Sequence, residues 1–348
     1  MTMDSTLTRR QLIGTAGTVM AGMTLGHPLK SSSSAADSSQ SPDQTSGPAS
    51  APNQTWQGLP FGDGPLKDRI AVVTGAARGI GRAIAVDMAA NGAHIVGVDI
   101  CEKIMSFQEY VPATREDLEE TGRLVRERNR KFTMEVGDIR KIEFLRGVAD
   151  RAQQQYGGID IVVANAGTQV FKPLLEMDDA HWLDVIDNNL NGTANTIRAF
   201  GPKLVARGKG RIIVLSSMQG KHGSKNMSSY SASKWGIIGL MKSAALELGK
   251  DKITVNALIP GLVDTPLTHN ERRWSELIGE LTGNPNPPPN PTEEEAAKMR
   301  TPHVPLRVPW LKPEDLAPAA VFLASDLAAM VTGACYDVTG GDDANNQS

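Results

Sequence analysis

The stretch Ile70-Ala-Val-Val-Thr-Gly75-Ala-Ala-Arg-Gly79-Ile-Gly81 sets a short apolar run directly against a glycine-rich turn, and helical spacing follows to residue 91. An apolar run this short, bounded by glycine, has the length of a buried strand rather than a helix. Gly75 permits the tight turn. Gly79 and Gly81 let backbone approach a pyrophosphate and let helix pack on strand, with Ile80 between them. A helix starting there offers unpaired N–H groups and the positive end of its dipole to a phosphate. Strand, turn and helix together predict a dinucleotide site. A second strand predicted over His94–Asp99 ends on a carboxylate, Asp99, 18 residues after Gly81. That carboxylate can accept from ribose hydroxyls and repels a 2′-phosphate, which favours NAD over NADP. Arg78 points weakly towards NADP, and its bland reading is a solvated surface charge.

Working outward, buried runs and amphipathic segments alternate from Asp68 onward. Strands are predicted at 70–74, 94–99, 132–138, 159–165, 210–216, 254–259 and 334–338, and helices at 79–91, 115–130, 140–156, 178–207, 228–249 and 313–325. Near-continuous apolar strands separated by helices predict an α/β fold, a doubly wound parallel seven-stranded sheet covered on both faces.

Tyr230-Ser-Ala-Ser-Lys234 opens the predicted helix 228–249, so phenol and ammonium share one face. A free phenol has a pKa near 10 and is a poor base at neutral pH. A neighbouring ammonium and a nicotinamide cation favour the phenolate, which then takes a proton from an alcohol or, as phenol, gives one to a ketone. Ser217 follows a predicted strand 13 residues before Tyr230, where an open α/β sheet places its ligand crevice. Ser216 suits backbone satisfaction better. Asn165-Ala166-Gly167 ends another strand on that edge, and Asn189 lies in an Asn-rich stretch unfavourable for the helix around it.

Thr74-Gly-x-x-x-Gly-x-Gly81, Asn165-Ala-Gly167, Asn189, Ser217 and Tyr230-x-x-x-Lys234 together resemble the short-chain dehydrogenase/reductase family over about residues 66–341. The resemblance implies a single-domain extended Rossmann fold and hydride transfer between nicotinamide and an alcohol or carbonyl carbon. It implies Tyr230 as acid/base and Ser217 holding the substrate oxygen. Lys234 would bind the nicotinamide ribose and lower the tyrosine pKa, and Asn189 would position a water of the proton relay. Asp138 and Ile139 resemble the adenine-contacting pair. Pro260-Gly261-Leu-Val-Asp-Thr265 resembles the carboxamide-holding segment, with Val263 and Thr265 as contacts.

Two segments depart from the family pattern. An insertion at 101–114, with Val98-Asp-Ile-Cys101 and Trp310-Leu-Lys-Pro-Glu-Asp315, is similar to a carveol-dehydrogenase-like branch. Members of that branch are associated with tightly held NAD and an external redox partner, mycofactocin. The second insertion, 269–312, carries Pro285, Pro287, Pro288, Pro289 and Pro291, which exclude helix across the run and favour a stiff extended segment. Lid, solvated loop and subunit contact all remain open for it. Trp274 and Trp310 are read either as pocket lining or as core packing.

The chain has 348 residues, 36 basic and 39 acidic side chains, and a formal net charge of −3, a balance that does not suit a nucleic-acid binder. Two cysteines, Cys101 and Cys335, exclude a disulfide scaffold and are expected as free thiols, and six dispersed histidines give no metal-site spacing. Arg9-Arg10 before the mildly apolar run 12–25 resembles a twin-arginine export signal over 1–30, too short and mild for a stable membrane span. Residues 31–64, rich in Ser, Pro and Ala, read as a disordered linker, 65–343 as the folding unit and 344–348 as a polar tail. The expectation is an exported, periplasmic NAD-dependent enzyme for a small alcohol or carbonyl substrate. The resemblance implies a homodimer or homotetramer, and because soluble NAD is not expected to be abundant outside the cytoplasm, the enzyme is expected to cross the export machinery with its cofactor bound. Epimerisation through transient oxidation and a non-catalytic dinucleotide-binding module are the alternatives.

Overall fold

The computed structural model describes residues 64–104 and 110–344. The expected signal and linker, the centre of the first insertion and most of the polar tail lie outside the described residues. Seven strands, β1 (Ile70–Thr74), β2 (His94–Asp99), β3 (Phe132–Val136), β4 (Ile161–Ala164), β5 (Gly210–Leu215), β6 (Ile253–Pro260) and β7 (Cys335–Val338), form one sheet. All its pairings are parallel and its order is β3-β2-β1-β4-β5-β6-β7. This is the doubly wound α/β sheet expected. The order reverses between β1 and β4, so a ligand crevice opens at their carboxyl ends.

Alternate residues of each strand feed opposite cores. Ala71 and Val73 pack with Ile84 and Met88 of α1 (Gly79–Ala90), Leu118 of α2 (Arg115–Arg126) and Leu316 of a C-terminal helix over Pro313–Ala324. Ile70 and Val72 pack instead with Leu145 of α3 (Ile142–Tyr156) and with Phe200 and Met241 of helices on the other face. The period of two is why every inner strand reads as continuously apolar.

Two expectations are corrected. The single helix predicted over 178–207 is α4 (Asp179–Ile186) and α5 (Gly192–Arg207), joined by one π turn over Asp187–Asn191. An extra residue in that turn breaks the regular hydrogen-bond ladder, and Asn189 sits within it. After α6 (Ser228–Leu248), the segment 269–312 keeps its proline run free of helix, as expected, but forms helices on either side of it that the sequence did not predict. It folds as α7 (Glu271–Thr282) and α8 (Glu293–Arg300), and the prolines occupy only their connection. The Asn270 side chain caps α7, a Thr292–Glu295 capping box starts α8, and α9 (Pro313–Ala324) follows. Leu277, Ile278 and Ala296 pack with Leu262, and Trp274 and Trp310 close over that small core. Among the described residues no helix is long and apolar enough to cross a membrane.

Candidate active site

The crevice at the switch point is a cleft open to solvent. Its floor is the β1 turn. Gly75 has φ +68°, and a Cβ there would stand 2.7 Å from the Asn165 Nδ2. At Gly81 a Cβ would stand 2.0 Å from the Gly75 carbonyl oxygen, so only glycine lets the turn and helix close on each other. Asn165 donates through Nδ2 to the carbonyls of Thr74 (2.9 Å) and Gly75 (3.2 Å), while the Thr74 hydroxyl accepts from the amides of Asn165 and Ala166. The Asn-Ala-Gly motif therefore holds the glycine turn from behind, which its sequence position alone does not reveal. Gly79 faces Thr265 across the cleft, and Ile80 lines the same wall.

Asp99 is 9% exposed, and its carboxylate accepts from the amides of Ala77 (3.0 Å) and Cys101 (3.1 Å). Burial raises its pKa, and those backbone donors and the Arg78 charge oppose the rise. Asp138 and Ile139 line the cleft beyond β3, with the Asp138 carboxylate paired to Arg140 at 2.8 Å. Pro260, Gly261, Val263 and Thr265 form the opposite lip, where Val263 pairs with Leu311. These groups fit a dinucleotide. The turn has no side chain where a pyrophosphate would lie, an amide-rich helix start faces that space, and a carboxylate stands at the end of the neighbouring strand.

At the other end of the cleft, α6 presents Tyr230 and Lys234. The Lys234 Nζ lies 5.4 Å from the centre of the tyrosine ring and donates to the Leu215 carbonyl at 2.9 Å. Burial alone lowers the Lys234 pKa to about 8. Burial also raises that of Tyr230, opposed by a hydrogen bond from Ser217 and by the Arg273 charge. Ser216 instead donates to the Lys234 carbonyl at 2.9 Å and so anchors the helix. Asn189 is fully buried and does not line the cleft. Its Oδ1 accepts from the Thr168 amide (2.8 Å), and its Nδ2 donates to the Thr168 carbonyl (2.9 Å) and the Ser233 hydroxyl (3.0 Å). Ser233 in turn donates to the Tyr230 carbonyl at 2.7 Å. The π turn thus locks the loop after β4, at Gly167 and Thr168, to the helix that carries the phenol. Every other residue expected at the site lines this one cleft.

Arg78 is not the free surface charge expected. It donates to the carbonyls of Val111 and Pro112 and lies 6.0 Å from the centre of the Tyr110 ring. The Tyr110 hydroxyl meets the Thr168 hydroxyl at 2.7 Å, so the described end of the first insertion spans the cleft from the glycine turn to the loop after β4. Sequence reasoning missed Tyr110, Thr168 and Arg273, which sit in no motif.

The short chain dehydrogenase family model matches residues 69–276. The chain is 36% identical over 279 residues to (−)-trans-carveol dehydrogenase of Rhodococcus erythropolis, covering 79% of this chain and 98% of that protein. The structure of carveol dehydrogenase from Mycobacterium avium in complex with NAD is similar at 36% identity and a TM-score of 0.75, over 80% of this chain and 99% of that one. A short chain dehydrogenase from Mycobacterium paratuberculosis bound to NAD is similar at 38% identity and a TM-score of 0.73, over 81% of this chain and all of that one. Matched by the family model over more than half its length and by these relatives over about four fifths, the chain belongs to the short-chain dehydrogenase family.

Proposed function

We propose that the protein is an exported, NAD(H)-dependent oxidoreductase of secondary alcohols and ketones that keeps its dinucleotide bound. The observation that carries the chemistry is the convergence of Tyr230, Ser217 and Lys234 at one end of a cleft whose other end fits a dinucleotide. Gly75, Gly79, Gly81 and Asp99 would hold the dinucleotide, whose nicotinamide would supply hydride acceptance from a carbinol carbon or donation to a carbonyl. Ser217 donates to and orients the substrate oxygen, and Tyr230 takes the alcohol proton in oxidation or supplies it in reduction. Lys234, held 5.4 Å from the centre of the Tyr230 ring by its bond to the Leu215 carbonyl, would bind the ribose. Asn189 positions the phenol's helix through Thr168 and Ser233.

Retention of the cofactor is supported by the cover over the cleft, in which Arg78, Tyr110 and Thr168 link the first insertion to both walls. Retention also suits the Arg9-Arg10 signal, because a compartment without soluble NAD calls for an enzyme that folds and loads before export. It fits turnover with an external redox partner and, by family resemblance, assembly as a dimer or tetramer. Release of dinucleotide on denaturing the purified protein, with oxidation of a panel of secondary alcohols lost in Tyr230→Phe while NAD remains bound, is the expected result. Protein that folds empty counts against retention, and turnover that survives Tyr230→Phe counts against the mechanism. Replacing Arg9 and Arg10 by Lys is expected to hold the protein in the cytoplasm, and unchanged export rejects that route.

A further inference from the structure

Residues 339–344, which follow β7, meet three segments that border the cleft. The first is the lip after β6. Gly261 lines the cleft there and packs so closely on Thr339 that a Cβ would stand 3.0 Å from the Thr339 Cα. The second is the helical pair α7–α8, which leaves the cleft directly: Leu267 and Thr268 line the cleft just before Asn270 caps α7. At the end of α8 the buried Arg300 pairs with Asp342, and beyond it the Leu306 amide donates to the Gly340 carbonyl at 3.1 Å. The third is the turn that Ser217 opens. The amides of Gly220 and Lys221 donate to the carbonyls of Ser217 and Met218, both at 2.8 Å. The turn ends on Lys221, whose Nζ lies 2.7 Å from Oδ1 of Asp337 in β7 and 3.3 Å from Oδ2 of Asp343. The Nε2 of His222 stands 4.0 Å from Oδ1 of Asp343.

Asp343 is 8% exposed, and a buried carboxylate is costly unless it meets a cation. An apolar side chain would pack there without that cost. Burial lowers the Lys221 pKa, but Asp337 and Asp343 outweigh it and leave that pKa raised, so the ammonium stays charged where it meets them. The two neighbouring aspartates bind in different directions, Asp342 to α8 and Asp343 to Lys221. Lys221 stands on the stretch between Ser217 and Tyr230, four residues after the one and nine before the other.

We propose that Asp342 and Asp343 are positioning residues: through them the turn 339–344 straps α8 to the Ser217 turn, so that α7–α8 and the serine hydroxyl take their places together. The inference rests on Ser217 and Tyr230 as the reacting pair. Neither aspartate lines the active-site cleft, so both act through the residues they bind.

The test is hydrogen exchange in the full chain saturated with NAD, read beside steady-state oxidation of a secondary alcohol. Asp342→Asn weakens only the pairing with Arg300, yet it is expected to speed exchange of the Gly220, Lys221 and His222 amides about fivefold. Lys221→Met is expected to loosen the last turn of α8 to a similar degree, because coupling between two sites is reciprocal. Asp343→Asn cuts the strap at its centre and is expected to loosen both ends. In turnover, Asp342→Asn and Asp343→Asn are each expected to lower kcat about tenfold with dinucleotide affinity unchanged, and to raise the isotope effect with carbinol-deuterated alcohol. The double variant is expected to lose little more than either single one, since one strap is cut twice. Amides that loosen only beside each substituted residue overturn the strap, as do rate losses that multiply in the double variant. A lower unfolding midpoint with kcat, KM and isotope effect unchanged overturns positioning in favour of packing. Should Asp343→Asn fail to fold, exchange in Asp342→Asn and Lys221→Met decides the matter. Turnover surviving in Tyr230→Phe overturns the underlying mechanism instead, and the two failures are separable because the exchange needs no turnover.

Discussion

Lys234→Met is expected to stabilise the folded protein at neutral pH while destroying its activity. Lys234 is 5% exposed, and burial alone lowers its pKa from 10.5 to about 8. Below about 8 the ammonium is charged in both folded and unfolded chains, and the folded state bears the whole desolvation cost. Between about 8 and 10.5 the unfolded chain binds the extra proton, so the Lys234 contribution to stability rises with pH across that window. The shift corresponds to about 3 kcal/mol. Methionine keeps the apolar stem but leaves the Leu215 carbonyl without its donor at 2.9 Å, a loss of about 1 kcal/mol. The variant is thus expected to be more stable than wild type by about 2 kcal/mol at neutral pH and less stable by about 1 kcal/mol above 10.5. Urea unfolding of the dinucleotide-free proteins at a series of pH values measures the difference, and other titrating groups cancel between them. A difference that stays constant from neutral pH to 10.5 refutes the reasoning, as does a wild type already the more stable at neutral pH. The sign fits the role proposed for Lys234, a buried ammonium that serves ribose and phenol rather than the fold.

Gly81→Ala puts a Cβ 2.0 Å from the Gly75 oxygen and is expected to cost about 3 kcal/mol in thermal unfolding and to abolish dinucleotide binding. Asp99→Asn removes the charged acceptor, and calorimetry is expected to show NAD bound roughly tenfold to a hundredfold more weakly, with the preference over NADP narrowed. Tyr110→Phe breaks the hydroxyl pair with Thr168 and is expected to speed NAD release about fivefold in stopped-flow fluorescence. Arg78→Ala frees both carbonyls of the cover and is expected to speed it more.

The inner strands β1, β4 and β5 were legible because each is a short, mostly apolar run ended by glycine or a polar residue. β1 and β2 begin and end where the sequence reading puts them, and the others differ only at their ends. The break at Asn189 was not legible as a break. One residue inserted into a helical turn leaves the apolar spacing on both sides intact, so periodicity alone merges α4 with α5. Its trace was the run Asn188-Asn-Leu-Asn191, unfavourable for helix and now seen to bind the loop after β4 to α6. In 269–312 the prolines outweighed two start signals, Asn270 before Glu271 and Thr292 three residues before Glu295. Both are used as caps.

The residues that escaped notice share a physical reason. Motif reading finds groups whose neighbours in space are also neighbours in sequence, as with Gly75 and Gly81 or Tyr230 and Lys234. Tyr110, Thr168 and Arg273 come from three distant segments, and only closure of the tertiary structure pairs Tyr110 with Thr168 and sets Arg273 over Phe171. Arg273 did leave one mark. The apolar face of α7 is built from Trp274, Leu277, Ile278 and Leu281, and Arg273 stands four residues before Leu277 on that same side. A cation on the face that a helix buries contradicts its pattern. Such a local contradiction is where a sequence spends stability on something other than the fold, and here the cation lies over the Phe171 ring and pairs with Glu280.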